Sequence, residues 1–172
     1  MQRLAGKFAL VAGGSSGIGL ATAKAFVANG AVVAITGRDR KALDAAKDVI
    51  DGEHIALKCD ATNLMEIDAL YAAIKEHFGA LDVIFANAGV ADSSPMEKAT
   101  EQNFDRIFNV KGVFFTVQKA LPLLRHGASV ILNASIAPRM GEQVFLFIRR
   151  VRQPSALSRV ISRQSLCHAA FA

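Results

Sequence analysis

Short apolar runs alternate with segments of helical periodicity along the chain, and this alternation limits the possible folds more than any other feature of the sequence. Apolar residues at helical spacing cover 20–28, 41–50, 64–78 and 104–124. The apolar runs typical of buried strands cover 8–12, 31–36, 54–59, 81–86 and 129–134. Parallel strands need crossover connections, and the crossover helices cover both faces of the sheet. We therefore expect an α/β fold with a doubly wound parallel sheet.

Three glycines, Gly13, Gly17 and Gly19, separate the first predicted strand from the first predicted helix. Glycine in this position lets the chain turn sharply, brings backbone N–H groups close to a pyrophosphate and packs the helix on the sheet. The helix N-terminus adds a partial positive charge. A strand-to-helix turn without a ligand has the same glycines. However, the second strand ends about 20 residues further on, where a ribose is read. The spacing therefore favours a dinucleotide site of the Rossmann type.

The residues after the second predicted strand bear on the choice of cofactor. A cofactor without a 2′-phosphate favours a carboxylate at this strand end, whereas an arginine accommodates the phosphate. The sequence has Gly37 and Arg38 here, which favours NADP over NAD. Two alternatives stay open. Arg38 could be a solvated side chain beside Asp39, and Asp39 could be either the N-cap of the next helix or a ligand of the ribose.

The glycine loop belongs to a longer series of motifs. The series comprises Ala12-Gly13-x-x-x-Gly17-Ile18-Gly19, Asp60-Ala61, Asn87-Ala88-Gly89, Asn109-Val-Lys-Gly and Ser135. In this order and spacing the motifs resemble those of the short-chain dehydrogenase/reductase family, over about residues 5–142. Two positions depart from the family pattern: Ala12 stands where threonine is common, and Ala86 where asparagine is frequent.

The resemblance implies a role for each group of matching residues. On the cofactor side, the glycine loop with Ser15, Ser16 and Ile18 would hold the pyrophosphate of NAD(P). Asp60, beside Ala61, would contact the adenine, and Asn87, Ala88 and Gly89 would form the wall around the adenine ribose. On the substrate side, Asn109 would loosen its helix and hold a water for proton relay, and Ser135 would hydrogen-bond the substrate oxygen. The implied reaction is hydride transfer between the nicotinamide and a small-molecule carbonyl or secondary alcohol.

The proton donor implied by the resemblance is missing from its expected place. The family has a tyrosine roughly a dozen residues after the serine, and a lysine four positions later that lowers the tyrosine pKa and holds the nicotinamide ribose. The sequence has one tyrosine, Tyr71, whose helical spacing indicates packing, and no lysine follows Lys119. We therefore expect little activity from this chain. The alternative is a non-catalytic NADP-binding module or an inert fragment.

Residues 143–172 differ in composition from the rest of the chain. Their only Asp, Glu, Lys or Arg residues are five arginines, whereas residues 1–142 carry equal numbers of basic and acidic residues, 15 of each. Codons can be chosen for residues 146–161 such that the same nucleotides, read in a shifted frame, encode a segment that begins Val-Tyr-Ser-Ala-Ser-Lys. This segment contains the missing Tyr-x-x-x-Lys motif. We hypothesise a frameshift near residue 145. Residues 1–142 would then be the NAD(P)-binding domain, and 143–172 a non-homologous, poorly ordered basic tail.

The tail also has an alternative interpretation as a basic arm for a nucleic acid or an anionic membrane. Its arginines are scattered without interleaved aromatic residues, so we expect neither partner. Under the frameshift hypothesis the fold is incomplete on its C-terminal side and the strand at 129–134 is an unprotected edge. Much of the family's usual oligomer surface would be lost together with the missing C-terminal elements. The homo-oligomer expected for the family is therefore doubtful for this chain.

Two cysteines and the N-terminus bear on the compartment. Cys59 and Cys167 lie far apart, with neither metal-ligand spacing nor the dense pattern of a disulfide scaffold. The apolar run after Lys7 reaches glycines within six residues, which is too short for a signal peptide or a membrane span. We therefore expect a cytoplasmic protein without a metal site.

Overall fold

The structure, a computed structural model, describes residues 2–87, 110–136 and 143–150. Six strands lie in these ranges: β1 (Phe8–Ala12), β2 (Val32–Gly37), β3 (His54–Lys58), β4 (Leu81–Ala86), β5 (Leu124–Ile136) and β6 (Gln143–Arg150). The α-helices in the same ranges are α1 (Gly17–Ala28), α2 (Arg40–Asp48), α3 (Leu64–Phe78) and α4 (Val110–Ala120).

The strands form one sheet in the order β3-β2-β1-β4-β5-β6. Strands β1 to β5 are parallel, and β6 is antiparallel to β5. At the centre of the sheet, Ala9 of β1 pairs with Val33 of β2 on one side and Val83 of β4 on the other. The strand order reverses between β1 and β4, and ligands of such sheets bind in the crevice at this reversal. The predicted doubly wound α/β fold is confirmed.

Each face of the sheet packs against its own helices. Leu10 and Ile84 belong to the core cluster that includes buried residues of α3 and α4. Val11 and Ile35 belong to the cluster that includes buried residues of α1 and α2. Because both faces of these strands are buried, their sequences are continuous apolar runs and do not alternate between apolar and polar residues.

Side-chain caps explain where two of the helices begin. Asp39 caps α2 by accepting hydrogen bonds from the N–H groups of Lys41 at 2.8 Å and Ala42 at 3.2 Å. Asn63 caps α3 in the same way, accepting from Met65 and Glu66. These side chains satisfy donors that the first helical turn leaves unpaired. Of the two roles left open for Asp39, the structure shows the N-cap.

The single tyrosine of the chain lies in the core, as its helical spacing predicts. Tyr71 on α3 is buried, and its hydroxyl donates to the backbone carbonyl of Thr116 on α4. Burial, together with the nearby Cys59, raises the pKa of Tyr71 above its ordinary value. Tyr71 therefore joins two helices and stays protonated.

A buried carboxylate connects three strands at the end of the sheet opposite the glycine loop. The side chain of Asp82 on β4 is 7% exposed and accepts hydrogen bonds from the backbone N–H of Phe8, from Lys7 and from Arg125 at 2.9–3.0 Å. Burial by itself would raise the pKa of Asp82, but the Phe8 N–H and the two cations lower it below its ordinary value. The ionised carboxylate therefore holds β1, β4 and β5 together.

The predicted helix at 104–124 is wrong at its C-terminal end. The described α4 ends at Ala120 and is followed by a 3₁₀ turn over Leu121–Leu123, and β5 already begins at Leu124. Pro122 has no backbone N–H to continue the helical hydrogen bonds, which explains the change. Residues 104–109 of the predicted helix lie outside the described residues.

The expectation that strand five is an unprotected edge is also wrong. Residues 143–150 form β6, which pairs with β5 from Ser129↔Arg150 to Ile136↔Gln143. The run 144–148 reads Val-Phe-Leu-Phe-Ile, and such β-branched and aromatic residues favour strands. The free backbone groups on the outer edge of β5 accept such a strand readily. The domain boundary after residue 142 stays a prediction, and residues 151–172 lie outside the described residues.

Candidate functional site

The glycine loop lies at the carboxyl end of β1, beside the reversal of strand order. Gly13 has φ 73° and Gly17 has φ 52°, in the left-handed region that favours glycine. A Cβ on Gly19 would lie 1.9 Å from the carbonyl oxygen of Gly13, so α1 can approach the loop this closely only without a side chain there. Gly14 lies against β2, where its N–H donates to the carbonyl of Thr36 at 2.9 Å. Glycine is thus required on both sides of the loop.

The N-terminus of α1 fits a negatively charged group. Its N-cap, Ser16, has extended backbone angles and makes no side-chain capping hydrogen bond, and the first turn contains no acidic residue. The corresponding positions of α2 and α3 are capped by Asp39 and Asn63. The N–H groups of the first turn of α1 therefore combine free donor capacity with the positive end of the helix dipole. Together with the glycine loop they fit the diphosphate of a dinucleotide. Ile18, in this turn, is 58% exposed.

An open surface depression beside the loop contains Arg38, the residue from which the sequence predicts NADP. This depression, the Arg38 pocket, has a volume of about 570 Å³ and is lined by Ser15, Ser16, Arg38, Asp39 and Ala42. A Cβ on Gly37 would lie 2.8 Å from the hydroxyl oxygen of Ser15, so glycine here lets the β1 loop approach the end of β2. Among the residues that the structure describes, Arg38 has no ion-pair partner. Arg38 is exposed and forms no ion pair with Asp39, so the alternative of a solvated side chain beside Asp39 stays open.

Asp60 follows β3 and is held in a turn. Its Oδ1 accepts hydrogen bonds from the backbone N–H and the hydroxyl of Thr62, at 2.9 and 2.8 Å, and its own N–H donates to Glu66. Its neighbour Cys59 is buried, and burial, followed by the charges of Glu66 and Asp60, raises the pKa of Cys59 to about 11. A thiol that stays protonated is a poor nucleophile. The candidate adenine contact at Asp60 and Ala61 thus borders an inert cysteine.

Asn87 lies next to the glycine loop at the carboxyl end of β4. Its backbone N–H donates to the carbonyl of Ala12 at 3.2 Å, and its side-chain Nδ2 lies 3.5 Å from the carbonyl oxygen of Gly13. Its Oδ1 accepts a hydrogen bond from Asn133 of β5 at 2.5 Å. Asn133 was not among the predicted site residues. The available signal was a lone amide side chain inside the apolar run at 129–134.

The substrate side of the predicted site is only partly covered by the structure. Ala88, Gly89 and Asn109 lie outside the described residues. The backbone of Ser135 lies on β5, where it pairs with Val144. The missing tyrosine would fall near Phe147 and Ile148, and these positions belong to β6, paired with Leu132 and Ile131.

The described part of the chain holds neither a metal-binding cluster nor a membrane-spanning helix. Within residues 2–87, 110–136 and 143–150, no group of three His, Cys, Asp or Glu residues is placed to hold a metal ion. None of the helices in the same ranges is long and apolar enough to cross a membrane.

Comparison with known proteins extends the resemblance beyond the motifs. The family model for short chain dehydrogenase matches residues 7–146. An oxidoreductase of Sarocladium schorii, asL5, is 42% identical over 145 residues, which cover 82% of this chain and 58% of that protein. Galactitol 2-dehydrogenase of Agrobacterium fabrum is 37% identical and covers 82% of this chain and 57% of that protein. The chain therefore spans somewhat more than half of the length of these relatives.

Solved structures agree with the sequence relatives. The crystal structure of levodione reductase has a TM-score of 0.71 and 31% identity, and covers 77% of this chain and 55% of that one. A short-chain dehydrogenase/reductase variant of Serratia marcescens has a TM-score of 0.70 and 32% identity, with 75% and 55% covered. Because the family model matches most of its length and relatives of 42% and 37% identity cover 82% of it, the chain belongs to the short-chain dehydrogenase/reductase family of NAD(P)-dependent oxidoreductases.

Proposed function

We propose that this chain binds NADP(H) in preference to NAD(H). The Arg38 pocket is the observation that carries the proposal. Arg38 has no ion-pair partner among the described residues, and the carboxylate of Asp39 is engaged by two N–H groups at the N-terminus of α2. Ser15 and Ser16, which carry hydroxyl groups, line the same depression. One cation and two hydroxyl donors are suited to a phosphate, whereas a ribose diol binds best to a carboxylate.

Paired titrations of NADPH and NADH test this preference. Substitution Arg38→Ala should weaken NADPH binding about 10- to 100-fold, because a hydrogen bond to a charged group contributes about 1.5–3 kcal/mol. NADH binding should not change. Arg40→Ala is the matched control, because Arg40 is an exposed arginine two residues away that pairs with Asp44 and does not line the pocket. Equal weakening of both cofactors by Arg38→Ala would contradict the preference.

The roles proposed for the remaining site residues follow from the family resemblance and from position. The glycine loop and the first turn of α1 would hold the diphosphate, Asp60 and Ala61 the adenine, and Asn87 with Ala88 and Gly89 the adenine ribose. Bound NADPH would supply a hydride to a carbonyl carbon. Ser135 would position the substrate oxygen, at the carboxyl end of a parallel strand where such sheets bind ligands. Asn109 would hold a water for the proton relay.

Turnover by this chain should be slow. Losing a positioned general acid costs about 10²–10⁴ in rate, and the sequence contains no Tyr-x-x-x-Lys segment beyond Ser135. The frameshift hypothesis explains the loss, and the family model ends at residue 146, close to the proposed shift. Turnover of a generic ketone with NADPH should be measured on this chain and on a version with the shifted frame restored after residue 145. Equal rates in the two proteins would contradict this part of the proposal.

The second candidate function is a non-catalytic NADP-binding module. The positions of the site residues in the sequence favour it. The described residues of the candidate cofactor site precede residue 88, whereas the proton donor of the family would fall after residue 142, where the sequence has none. A module would bind NADPH measurably without turnover, whereas an inert fragment would show neither binding nor turnover. We also propose a cytoplasmic location, a small carbonyl or alcohol substrate for relatives with the intact motif, and neither a nucleic-acid nor a membrane partner.

A further inference from the structure

Three residues near the carboxyl ends of neighbouring strands form a short chain of hydrogen bonds in and beside the glycine loop. Asn133 of β5 donates from Nδ2 to Oδ1 of Asn87 at 2.5 Å. The Nδ2 of Asn87 in turn lies 3.5 Å from the carbonyl oxygen of Gly13, its acceptor in the loop. We call these three residues the asparagine relay. It runs from β5, which carries Ser135, to the loop proposed to hold the diphosphate.

The strand register places the relay at one level of the sheet. Ala12 of β1 pairs with Ala86 of β4, and Ala86 pairs with Leu132 of β5. Gly13 and Asn87 directly follow β1 and β4, and Asn133 is the residue of β5 that follows Leu132. The relay therefore crosses the carboxyl edge of the sheet in a single row, and it forms only when β1, β4 and β5 are in this register.

The peptide of Gly13 is confined from two sides. A Cβ on Gly19 would lie 1.9 Å from the carbonyl oxygen of Gly13 and 3.0 Å from Nδ2 of Asn87, so the first turn of α1 and the Asn87 amide meet at the same peptide. Because the positive φ of Gly13 shapes the loop, the direction of this carbonyl affects where the following N–H groups point.

Asn133 determines which end of the Asn87 amide faces the loop. The terminal torsion of asparagine is broad and roughly two-fold, so the amide can present either its oxygen or its NH₂ group to Gly13. A donor from Asn133 occupies the oxygen and leaves the NH₂ group for the Gly13 carbonyl. Without that donor, the oxygen of Asn87 can turn toward the carbonyl oxygen, where the two acceptors repel.

We propose that Asn133 is a positioning residue for cofactor binding, which acts through Asn87 to keep the glycine loop shaped for the diphosphate. The proposal rests on the proposed function, because it assumes that the loop binds NADP(H). A positioning role differs in one measurable respect from a hydrogen bond that only stabilises the contact between the ends of β4 and β5. A positioning role weakens the binding of ligands that carry a diphosphate more than that of a ligand with only the adenine, the ribose and the 2′-phosphate.

The test compares two ligands on three proteins. Titrations of NADP and of 2′-AMP, which carries the 2′-phosphate and no diphosphate, are made on the wild-type chain, on Asn133→Leu and on Leu132→Ala. Asn133→Leu keeps the γ-branched shape of the side chain and removes the donor. Leu132→Ala is the control on the same strand, because Leu132 packs on the opposite face of the sheet against the α3–α4 core and lies outside the relay.

Asn133→Leu should weaken NADP binding about tenfold, the effect of one hydrogen bond, and weaken 2′-AMP binding less. Leu132→Ala should lower the melting temperature without changing the ratio of the two dissociation constants. In an Asn87→Ala background, Asn133→Leu should have no further effect on NADP binding, because the relay is already broken. Equal weakening of NADP and 2′-AMP, or unchanged NADP binding in Asn133→Leu, would overturn the proposal. If the wild-type chain bound neither 2′-AMP nor NADP, the proposed function itself would be overturned.

Discussion

Replacing Gly19 by alanine tests the shape of the glycine loop directly. The new Cβ would lie 1.9 Å from the carbonyl oxygen of Gly13, whereas a carbon normally stays about 3.3 Å from such an oxygen. The first turn of α1 and the loop must therefore separate by roughly 1 Å or more. Both groups in conflict are backbone, so no side-chain rotation relieves the contact.

The expected magnitudes follow from this displacement. Overpacking costs about 1–3 kcal/mol, partly offset by a gain of up to about 1 kcal/mol in helix propensity. The net loss of about 1–2 kcal/mol lowers the melting temperature by about 2–8 °C in a chain of this size. A shift of 1 Å also breaks hydrogen bonds to the diphosphate, and losing one or two of them raises the NADPH dissociation constant about 100-fold.

Fluorescence titration with NADPH and thermal unfolding measure the two effects on Gly19→Ala. Gly6→Ala is the control, because Gly6 also has a positive φ, 68°, with open space where its Cβ would lie, and it precedes β1 at the opposite end of the strand. Alanine there costs a similar amount, about 1–2 kcal/mol, through the left-handed backbone alone. It should leave NADPH binding unchanged. Wild-type affinity in Gly19→Ala, or equal loss of affinity in both variants, would refute the assignment of the loop to the cofactor.

Three further predictions concern stability. Tyr71→Phe removes the hydrogen bond that the hydroxyl donates to the Thr116 carbonyl and should cost about 1 kcal/mol in urea unfolding; no loss would show that the hydroxyl contributes nothing. Asp82→Asn should be less stable than wild type by about 2–4 kcal/mol at pH 7. Because the pKa of Asp82 is lowered in the folded state, its contribution is present above about pH 4 and is lost as the pH falls through the folded pKa. The difference between the two proteins should therefore shrink in unfolding curves recorded toward pH 3, and a constant difference would contradict this. Asp39→Ala removes the cap of α2 and should lower the unfolding free energy by about 1 kcal/mol; weaker NADPH binding in this variant would instead favour Asp39 as a ribose ligand.

Local sequence signals predicted most of the described elements. The helix at 64–78 and the strands at 8–12 and 81–86 have the predicted bounds, because their apolar periodicity and the asparagine cap at Asn63 act over a few residues. The helix that was predicted to reach residue 124 failed for a local reason that was visible in the sequence, namely Pro122.

The residues of the candidate site also differ in whether the local sequence could predict them. The glycine loop and Arg38 were predictable because each acts through its own strand end. Asn133 was not, because its importance depends on Asn87, 46 residues away in the sequence and adjacent only in the folded sheet. The charged cluster at Asp82 was missed for the same reason, since Lys7 and Arg125 lie 75 and 43 residues from it.

The sequence by itself determined the alternation of strands and helices, the glycine loop and the family to which the chain belongs. These depend on residue types at short and regular spacings, and the physical interactions behind them are local. The tertiary structure decided the order of strands, the pairing of β6 with β5 and the row formed by Gly13, Asn87 and Asn133. Strand neighbours and register depend on the burial of two faces at once, and no short segment of the chain contains that information.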